Sequence, residues 1–407
     1  MSFAAILLIL IVVMCWSLVA KALSSAPLTG PMVMTLAGLL LGSSTMLDSE
    51  DARSIAHSLA EITLVIVLFS DASRIDLRRL SHDFQLPRQM LLLALPGAIL
   101  LGTLCGLLLL PSLGFWSAAL LAAILAPTDA ALGEAVVSSK RVPIRIRESL
   151  SVESGLNDGM ALPIVLLLGC FAGVSSGIDT TSGWVLFGAS QIVFGVLFGA
   201  TVGWAGAKLM QLSLDRDWLS EQWQGIAALA IAGIAWSSAE LVHGNGFIAA
   251  FISGLVFGEK LCRKADFVFE FAETEGQMLV LGTFALFGAT LLPNALANLS
   301  WPVVIYAVLS LTLVRMLPVG LSLLSQRLQL STVLFLGWFG PRGLASILFV
   351  LLIAEEAMIP NIDLVSTVVF VTVFMSVVLH GITAGPLATL YGRSVSGDEG
   401  DTYSTSV

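Results

Sequence analysis

Residues 114–137 read GFWSAALLAAILAPTDAALGEAVV, and residues 330–354 read LSTVLFLGWFGPRGLASILFVLLIA. A bilayer-spanning helix takes about 20 apolar residues, and each stretch is long enough. Each is also interrupted in its middle by a proline beside a charge. The first carries Ala126-Pro127-Thr128-Asp129, the second Gly340-Pro341-Arg342-Gly343. Proline removes a backbone donor and breaks the helical ladder. Two such helices at corresponding places in a chain point to a central binding site. Two ordinary proline kinks are the plainer reading, and the charge at both breaks speaks against it.

The rest of the chain has the same character. Of 407 residues, 57% are hydrophobic and 12% charged, with a mean hydropathy of +0.95. A soluble domain is about a quarter charged, so a water-soluble fold is excluded. The net charge of −9 says little about partners. Many acids fall in loops and in the tail after Arg393, where Asp398, Glu399 and Asp401 lie. There is no basic patch to attract nucleic acid. Cys15, Cys105, Cys170 and Cys262 form no CxxC pair and read as small apolar residues. Residues 2–20 resemble the apolar part of a signal peptide, but no basic residues precede them and Lys21 follows. The stretch reads as a first spanning helix with an external N-terminus.

The expected spans are 4–22, 29–43, 55–73, 89–110, 114–137, 148–173, 183–211, 222–242, 245–258, 272–292, 299–325, 330–354 and 363–390. The fold expected is therefore an all-α membrane protein of about 13 transmembrane helices. Charge checks the count, because cytoplasmic loops hold the Lys and Arg. Sixteen of the 19 basic residues, from Lys21 to Arg393, fall in loops after odd-numbered helices or in the tail. Arg53 alone lies on the other side, and Arg315 and Arg342 lie within helices. An error of one helix would scramble this split. The N-terminus is expected outside and the C-terminus in the cytoplasm. Helices 1–6 and 8–13 would then form two inverted six-helix repeats flanking helix 7, with interrupted helices 5 and 12 crossing.

A charge at the bilayer centre costs about 2.5–3.5 kcal/mol on insertion scales and needs a partner or a purpose. Helix 5 carries Thr128, Asp129 and Glu134. Helix 6 carries Glu153, Ser154, Asn157 and Asp158. Asp71 ends helix 3, and Glu240 nears the end of helix 8. From Arg147 at the cytoplasmic face, Asp158 lies roughly 16 Å into the membrane. Ser154 and Asp158 share one helix face, and Glu153 and Asn157 the neighbouring one. Glu153 and Asp158 look roughly 140° apart. Asp158, Ser154 and the opened backbone at Thr128 offer hard oxygen ligands to a dehydrated monovalent cation. Glu153 is better placed to neutralise a membrane arginine. A carboxylate taken out of water is either protonated and neutral or ionised and paired. One such group shared by proton and cation couples their opposite fluxes. No G-x-x-x-x-G-K-[ST] nucleotide loop occurs.

Half-helix ends add fixed partial charges. Asp129 is expected at helix N-termini and Arg342 at C-termini, with a direct Asp129–Arg342 bridge as the alternative. His57, His82, His243 and His380 are scattered singly and read as packing residues.

Glu153-Ser154-Gly155-Leu156-Asn157-Asp158-Gly159 resembles the Asn-Asp signature of the NhaP-like branch of the monovalent cation:proton antiporters, the branch that includes animal sodium/proton exchangers. Pro127-Thr128-Asp129 resembles its broken-helix motif. Arg315, in Val314-Arg315-Met316-Leu317-Pro318-Val319, and Arg342, in Trp338-Phe339-Gly340-Pro341-Arg342-Gly343, resemble its membrane arginines. The likeness spans essentially the whole chain.

That resemblance implies a secondary active antiporter with Asp158 as the cation and proton carboxylate. Ser154 and the Thr128 backbone would help bind Na⁺, Li⁺ or K⁺. Asn157 and Asp129 would organise the crossing, and Glu153 would pair with Arg315. The Asn-Asp pair, where another branch has Asp-Asp, implies electroneutral exchange. It further implies a homodimer in a bacterial inner membrane. Residues 1–75 and 222–292 would form the dimerisation scaffold, and 88–174 and 299–390 a moving core. Residues 183–211 would link them, and 391–407 would be a short cytoplasmic tail without a regulatory domain. No cofactor or nucleotide is expected. One departure from the family concerns helix 3. There Leu68-Phe69 is followed by Ser70-Asp71 rather than a Glu-small pair, which leaves the role of Asp71 open.

The competing expectations are a sodium-coupled solute symporter, which would need a roomy substrate cavity, and a membrane scaffold or sensor, which would not need charges on both broken helices. Na⁺ against K⁺ preference, pH optimum and direction are not written in the motifs.

Overall fold

The computed structural model describes residues 3–23, 27–42, 49–75, 85–173, 181–261, 266–356 and 359–402. Arg78, Arg79, His82, Cys262, Arg263 and Lys264 lie outside them. All regular structure among the described residues is helical. We label the helices α1 (Phe3–Val19), α2 (Gly30–Gly42), α3 (Ser49–Ser73), α4 (Gln85–Leu109), α5a (Gly114–Ile124) and α5b (Ala130–Val137), α6 (Ile144–Ala172), α7 (Thr181–Asp215), α8 (Glu221–Glu240) and α9 (Gly246–Leu261). There follow α10 (Asp266–Leu286, continuing to Ala297), α11a (Trp301–Leu311) and α11b (Leu313–Ser322), α12a (Leu330–Trp338) and α12b (Leu344–Glu356), and α13 (Ile362–Thr402).

Among the described residues, six helices are each long and apolar enough to cross a membrane: Gln85–Leu109, Ile144–Ala172, Gly188–Asp215, Gly276–Ala297, Trp301–Ser322 and Ile362–Val395. Their outward faces carry large apolar side chains such as Leu100, Leu108 and Leu197. In water such a surface would be an association hazard; against lipid tails it is the matching solvent.

Backbones approach closely where small residues allow it. Gly195, Gly199 and Gly203, four apart on α7, lie against the backbone of Asn245, Ala249 and Ser253 around α9. Gly254 and Gly258 on the same helix press on Phe69 and Ser73 of α3. Helices α9 and α10 each pack on α3 and on α8, and α2 packs on α10. Helix α4 packs on α5a and α11, and α13 touches α11a, α12b and α5b. Helix α6 lies between these sets, touching α5a and α5b on one side and α3, α7 and α9 on the other.

Several expected boundaries are corrected. Helix α4 begins at Gln85 rather than 89, and α13 runs on to Thr402, so the segment expected as a tail continues the last helix. The eleventh stretch is not one rod: it breaks at Thr312, φ −112° and ψ −93°. The Thr312 hydroxyl bonds the Val308 carbonyl four residues back at 2.7 Å, a bond that bends helices. Two π turns, Met90–Ala94 and Phe287–Leu291, were not expected either. Pro96 and Pro293 follow them closely, and the wide turn absorbs the missing donor.

Candidate functional site

Helix five ends its first half at Ile124 and resumes at Ala130; helix twelve stops at Trp338 and resumes at Leu344. The two gaps touch. The Asp129 N–H donates to the Pro341 carbonyl at 2.8 Å. Each half-helix end leaves backbone groups without a helical partner, and the opposite strand of the crossing supplies it. The Asp129 carboxylate accepts from the Leu132 N–H at 3.2 Å and the Leu344 N–H at 2.6 Å, at the N-terminal ends of α5b and α12b. The Arg342 guanidinium donates through Nη1 to the carbonyls of Ala126, 2.6 Å, and Pro127, 2.9 Å, beyond the C-terminal end of α5a. Ser346 Oγ donates to the Ile124 carbonyl at 2.8 Å. Each charge thus meets the helix end of opposite sign.

The crossing is too tight for side chains at its glycines. A Cβ on Gly343 would overlap the Asp129 carboxylate, and one on Gly340 would overlap the Arg315 guanidinium and Thr128 Cγ2.

Helix α6 docks on this crossing through neighbouring residues. Ser154 Oγ donates to the Thr128 carbonyl at 2.6 Å, and Asn157 Nδ2 donates to Thr128 Oγ1 at 2.6 Å. Glu153 turns the other way and meets Arg315 of α11b in a two-pronged pair at 2.5 and 2.7 Å. Both partners are almost wholly buried, each side chain 3% exposed. The two carboxylates of α6 therefore have different surroundings, as their angular separation on the helix requires.

Asp158 is 7% exposed, and its Oδ1 has no hydrogen-bond partner among the described residues. It lines a cavity of about 400 Å³ together with Asp71, Thr128, Asp129 and Ser154. The cavity walls come from α3, α5, α6, α10 and α12. It extends past Leu150 and Val137 to Arg74 and Ser138, near the ends of α3 and α5b and the start of α6.

Asp71, left open by the sequence, thus reaches the same cavity; its Cβ lies 3.6 Å from where Gly155 would carry one. Glu240 lies elsewhere, accepting the Gly246 N–H at 2.8 Å at the start of α9. The side chain of Glu134 is outside the described residues. No group of three or more His, Cys, Asp or Glu able to hold a resident metal occurs among the described residues. Two features were missed. Phe251 of α9 packs its ring where Gly159 would carry a Cβ, directly after Asp158. Ser376 and His380 of α13 attach to the α12 break. The sequence signal for the pair was a serine and a histidine four apart in a mainly apolar helix that also carries Thr372 and Thr383.

A family model described as sodium/hydrogen exchanger, transmembrane, matches residues 6–390. A K(+)/H(+) antiporter NhaP from Alkalimonas amylolytica is 27% identical over 340 residues, covering 82% of this chain and 57% of that protein. A K(+)/H(+) antiporter NhaP2 from Shewanella sp. (strain ANA-3) is 26% identical over 67% of this chain and 46% of its own length. The chain thus spans about half the length of these curated relatives. A Na(+)/H(+) antiporter from Schizosaccharomyces pombe is 24% identical over 84% of this chain and 81% of its own. In three dimensions the chain is similar to the sodium proton antiporter MjNhaP1 from Methanocaldococcus jannaschii, with a TM-score of 0.76, 20% identity, and 96% and 98% of the two chains covered. The symporter alternative gains no support from these likenesses.

Proposed function

The chain belongs to the sodium/hydrogen exchanger family, and we propose that it exchanges a monovalent cation for a proton at Asp158. It is a multi-pass integral membrane protein. One observation carries the proposal: Asp158 is buried, holds an oxygen that no described group bonds, and faces a cavity beside Ser154 and Thr128. Protonated, the carboxyl is neutral and holds no cation. Ionised, it attracts Na⁺, Li⁺ or K⁺, with Ser154 Oγ and the Thr128 carbonyl as further oxygens of the hard type such ions take. Proton and cation exclude one another, so each trip of the carboxylate across the membrane carries one or the other.

The neighbouring Asn157 is an amide and takes up no proton. One titrating carboxylate then exchanges one cation for one proton, and the cycle is electroneutral. Asn157 and Asp129 organise the crossing, Arg342 neutralises helix ends, and Glu153 with Arg315 fixes α6 to α11. Helices α4–α6 and α11–α13 carry the site and move as the core. Helices α1–α3 and α8–α10 form the scaffold of a homodimer, with α7 linking the two inverted repeats. The cavity supports this division, since residues of α3 and α10 line it together with residues of α5, α6 and α12. Its lining reaches Arg74 and Ser138, on the side where the basic loops are proposed to place the cytoplasm. The membrane is the inner one of a bacterium, with the N-terminus outside and no cofactor beyond the transported ions.

The test is reconstitution into liposomes with an acidic interior, followed by addition of Na⁺, Li⁺ or K⁺. Proton efflux driven by at least one of them is expected, unchanged when a membrane voltage is imposed. Efflux that persists in Asp158→Asn would overturn the assignment, and a clear voltage dependence would overturn electroneutrality.

A further inference from the structure

In an unbroken helix the Arg342 N–H would donate to the Trp338 carbonyl, four residues back. The α12 break parts these two groups; the Trp338 carbonyl accepts the Gly340 N–H at 2.8 Å within the break, and α13 supplies a partner to each group. The Arg342 N–H donates to Ser376 Oγ at 2.7 Å, and His380 Nε2 lies 3.0 Å from the Trp338 carbonyl oxygen. Ser376 and His380 are one turn apart and are themselves joined, Oγ to Nδ1, at 3.1 Å. Arg342, Ser376 and His380 are all within 1% of complete burial. The Trp338 indole covers the imidazole, 5.0 Å between ring centres, and its Nε1 donates to Thr383 Oγ1 at 3.0 Å.

These bonds fix where the protons sit. A carbonyl only accepts, so His380 Nε2 carries the hydrogen towards Trp338. Ser376 Oγ accepts the Arg342 N–H and has one hydrogen left to give, and Nδ1 is the acceptor in reach. Nδ1 also lies 3.0 Å from the Ser376 carbonyl oxygen. A hydrogen placed there would leave the Nε2 lone pair facing the Trp338 oxygen. A doubly protonated ring would add a third positive charge near Arg342 and Arg315. The neutral ring with its hydrogen on Nε2 satisfies both the Trp338 carbonyl and the Ser376 hydroxyl, and leaves the Ser376 carbonyl without a bond from the ring.

We propose that Ser376 and His380 are a positioning pair that replaces the backbone hydrogen bond α12 lacks. By holding the Arg342 backbone, the pair keeps the guanidinium on the Ala126 and Pro127 carbonyls, next to the Thr128 carbonyl of the ion site. It touches neither cation nor proton, and its effect on exchange rests on the reading of Asp158 given above.

The test has two readouts. The first is the apparent KM for the driving cation in proteoliposomes. Loss of a buried hydrogen bond beside the site raises it by about tenfold in His380→Leu and in Ser376→Ala. The double variant is no worse than either, because the two residues act as one unit. His380→Gln, which keeps a donor at the far position, recovers part of the loss. The second readout is nitrogen-15 NMR of ring-labelled histidine in the wild-type protein, with the His380 signal assigned by its loss in His380→Leu. The expected spectrum shows a protonated Nε2 and an unprotonated Nδ1 at every pH at which the wild type exchanges. A hydrogen on Nδ1, or KM values within about twofold of wild type in both single variants, would overturn the proposal. If His380→Leu does not fold, signal assignment in His380→Gln keeps the spectrum decisive. A wild type with no cation-driven flux would sink the exchange reading alone, since the tautomer is measured without transport.

Discussion

Glu153 and Asp158 are two carboxylates on one helix with opposite requirements. Glu153 is ionised against Arg315 with both partners buried, and removing either leaves an uncompensated charge. Such losses cost about 3–5 kcal/mol, whereas removing both partners together is far less damaging. Glu153→Gln and Arg315→Leu are therefore expected to lower thermal stability in detergent sharply, and the Glu153→Leu, Arg315→Leu double variant to recover much of it. A double variant as unstable as the singles would show that the pair is not the source of the loss. Their different surroundings were legible because a charge in an apolar run demands an explanation, and a spacing of five residues cannot give both groups the same neighbour. Asp71 was not legible in this way. Its place in the cavity depends on the register of α3 against Gly155 of α6, which no local pattern records. His380 was missed for a related reason, since its partners, Trp338 and Ser376, meet only when α12 breaks beside α13.

At the scale of elements, the crossing depends on glycines with no room for a methyl group. Overpacking a tight site costs about 1–3 kcal/mol, so Gly343→Ala is expected to displace Asp129 and lower both melting temperature and exchange. Wild-type behaviour in that variant would mean the approach to Asp129 is looser than described. Gly159 has the same relation to Phe251 of α9. Because α6 is proposed to slide past α9, Gly159→Ala is expected to slow turnover about tenfold or more. Trimming the ring in Phe251→Leu should restore it, as measured by initial rates in proteoliposomes. No restoration would place the defect elsewhere. The broken helices five and twelve were readable from Pro127, Pro341 and the charges beside them. The break at Thr312 was not, since the same bond from a hydroxyl to the carbonyl four residues back is made at Thr103 and Thr372 within unbroken helices. The π turns before Pro96 and Pro293 escaped notice because a proline in an apolar run announces a lost donor without saying how the preceding turn absorbs it.

For the whole molecule, the proposed orientation rests on the distribution of Lys and Arg and is directly measurable. Lys140 and Ser300 are exposed and are expected on opposite sides of the membrane. In a background without the native cysteines, Lys140→Cys should react with an impermeant thiol reagent only from the cytoplasmic side, and Ser300→Cys only from outside. Labelling of both from one side would contradict the topology. The central claim is narrower: one carboxylate, Asp158, holds either a proton or a cation. The measurement that tests it most directly is the apparent KM for the driving cation as a function of pH. Competition at a single site predicts a KM that rises on acidification, approaching about tenfold per pH unit, while the maximal rate stays level. A KM that does not move with pH, with the proton acting on the maximal rate alone, would contradict it.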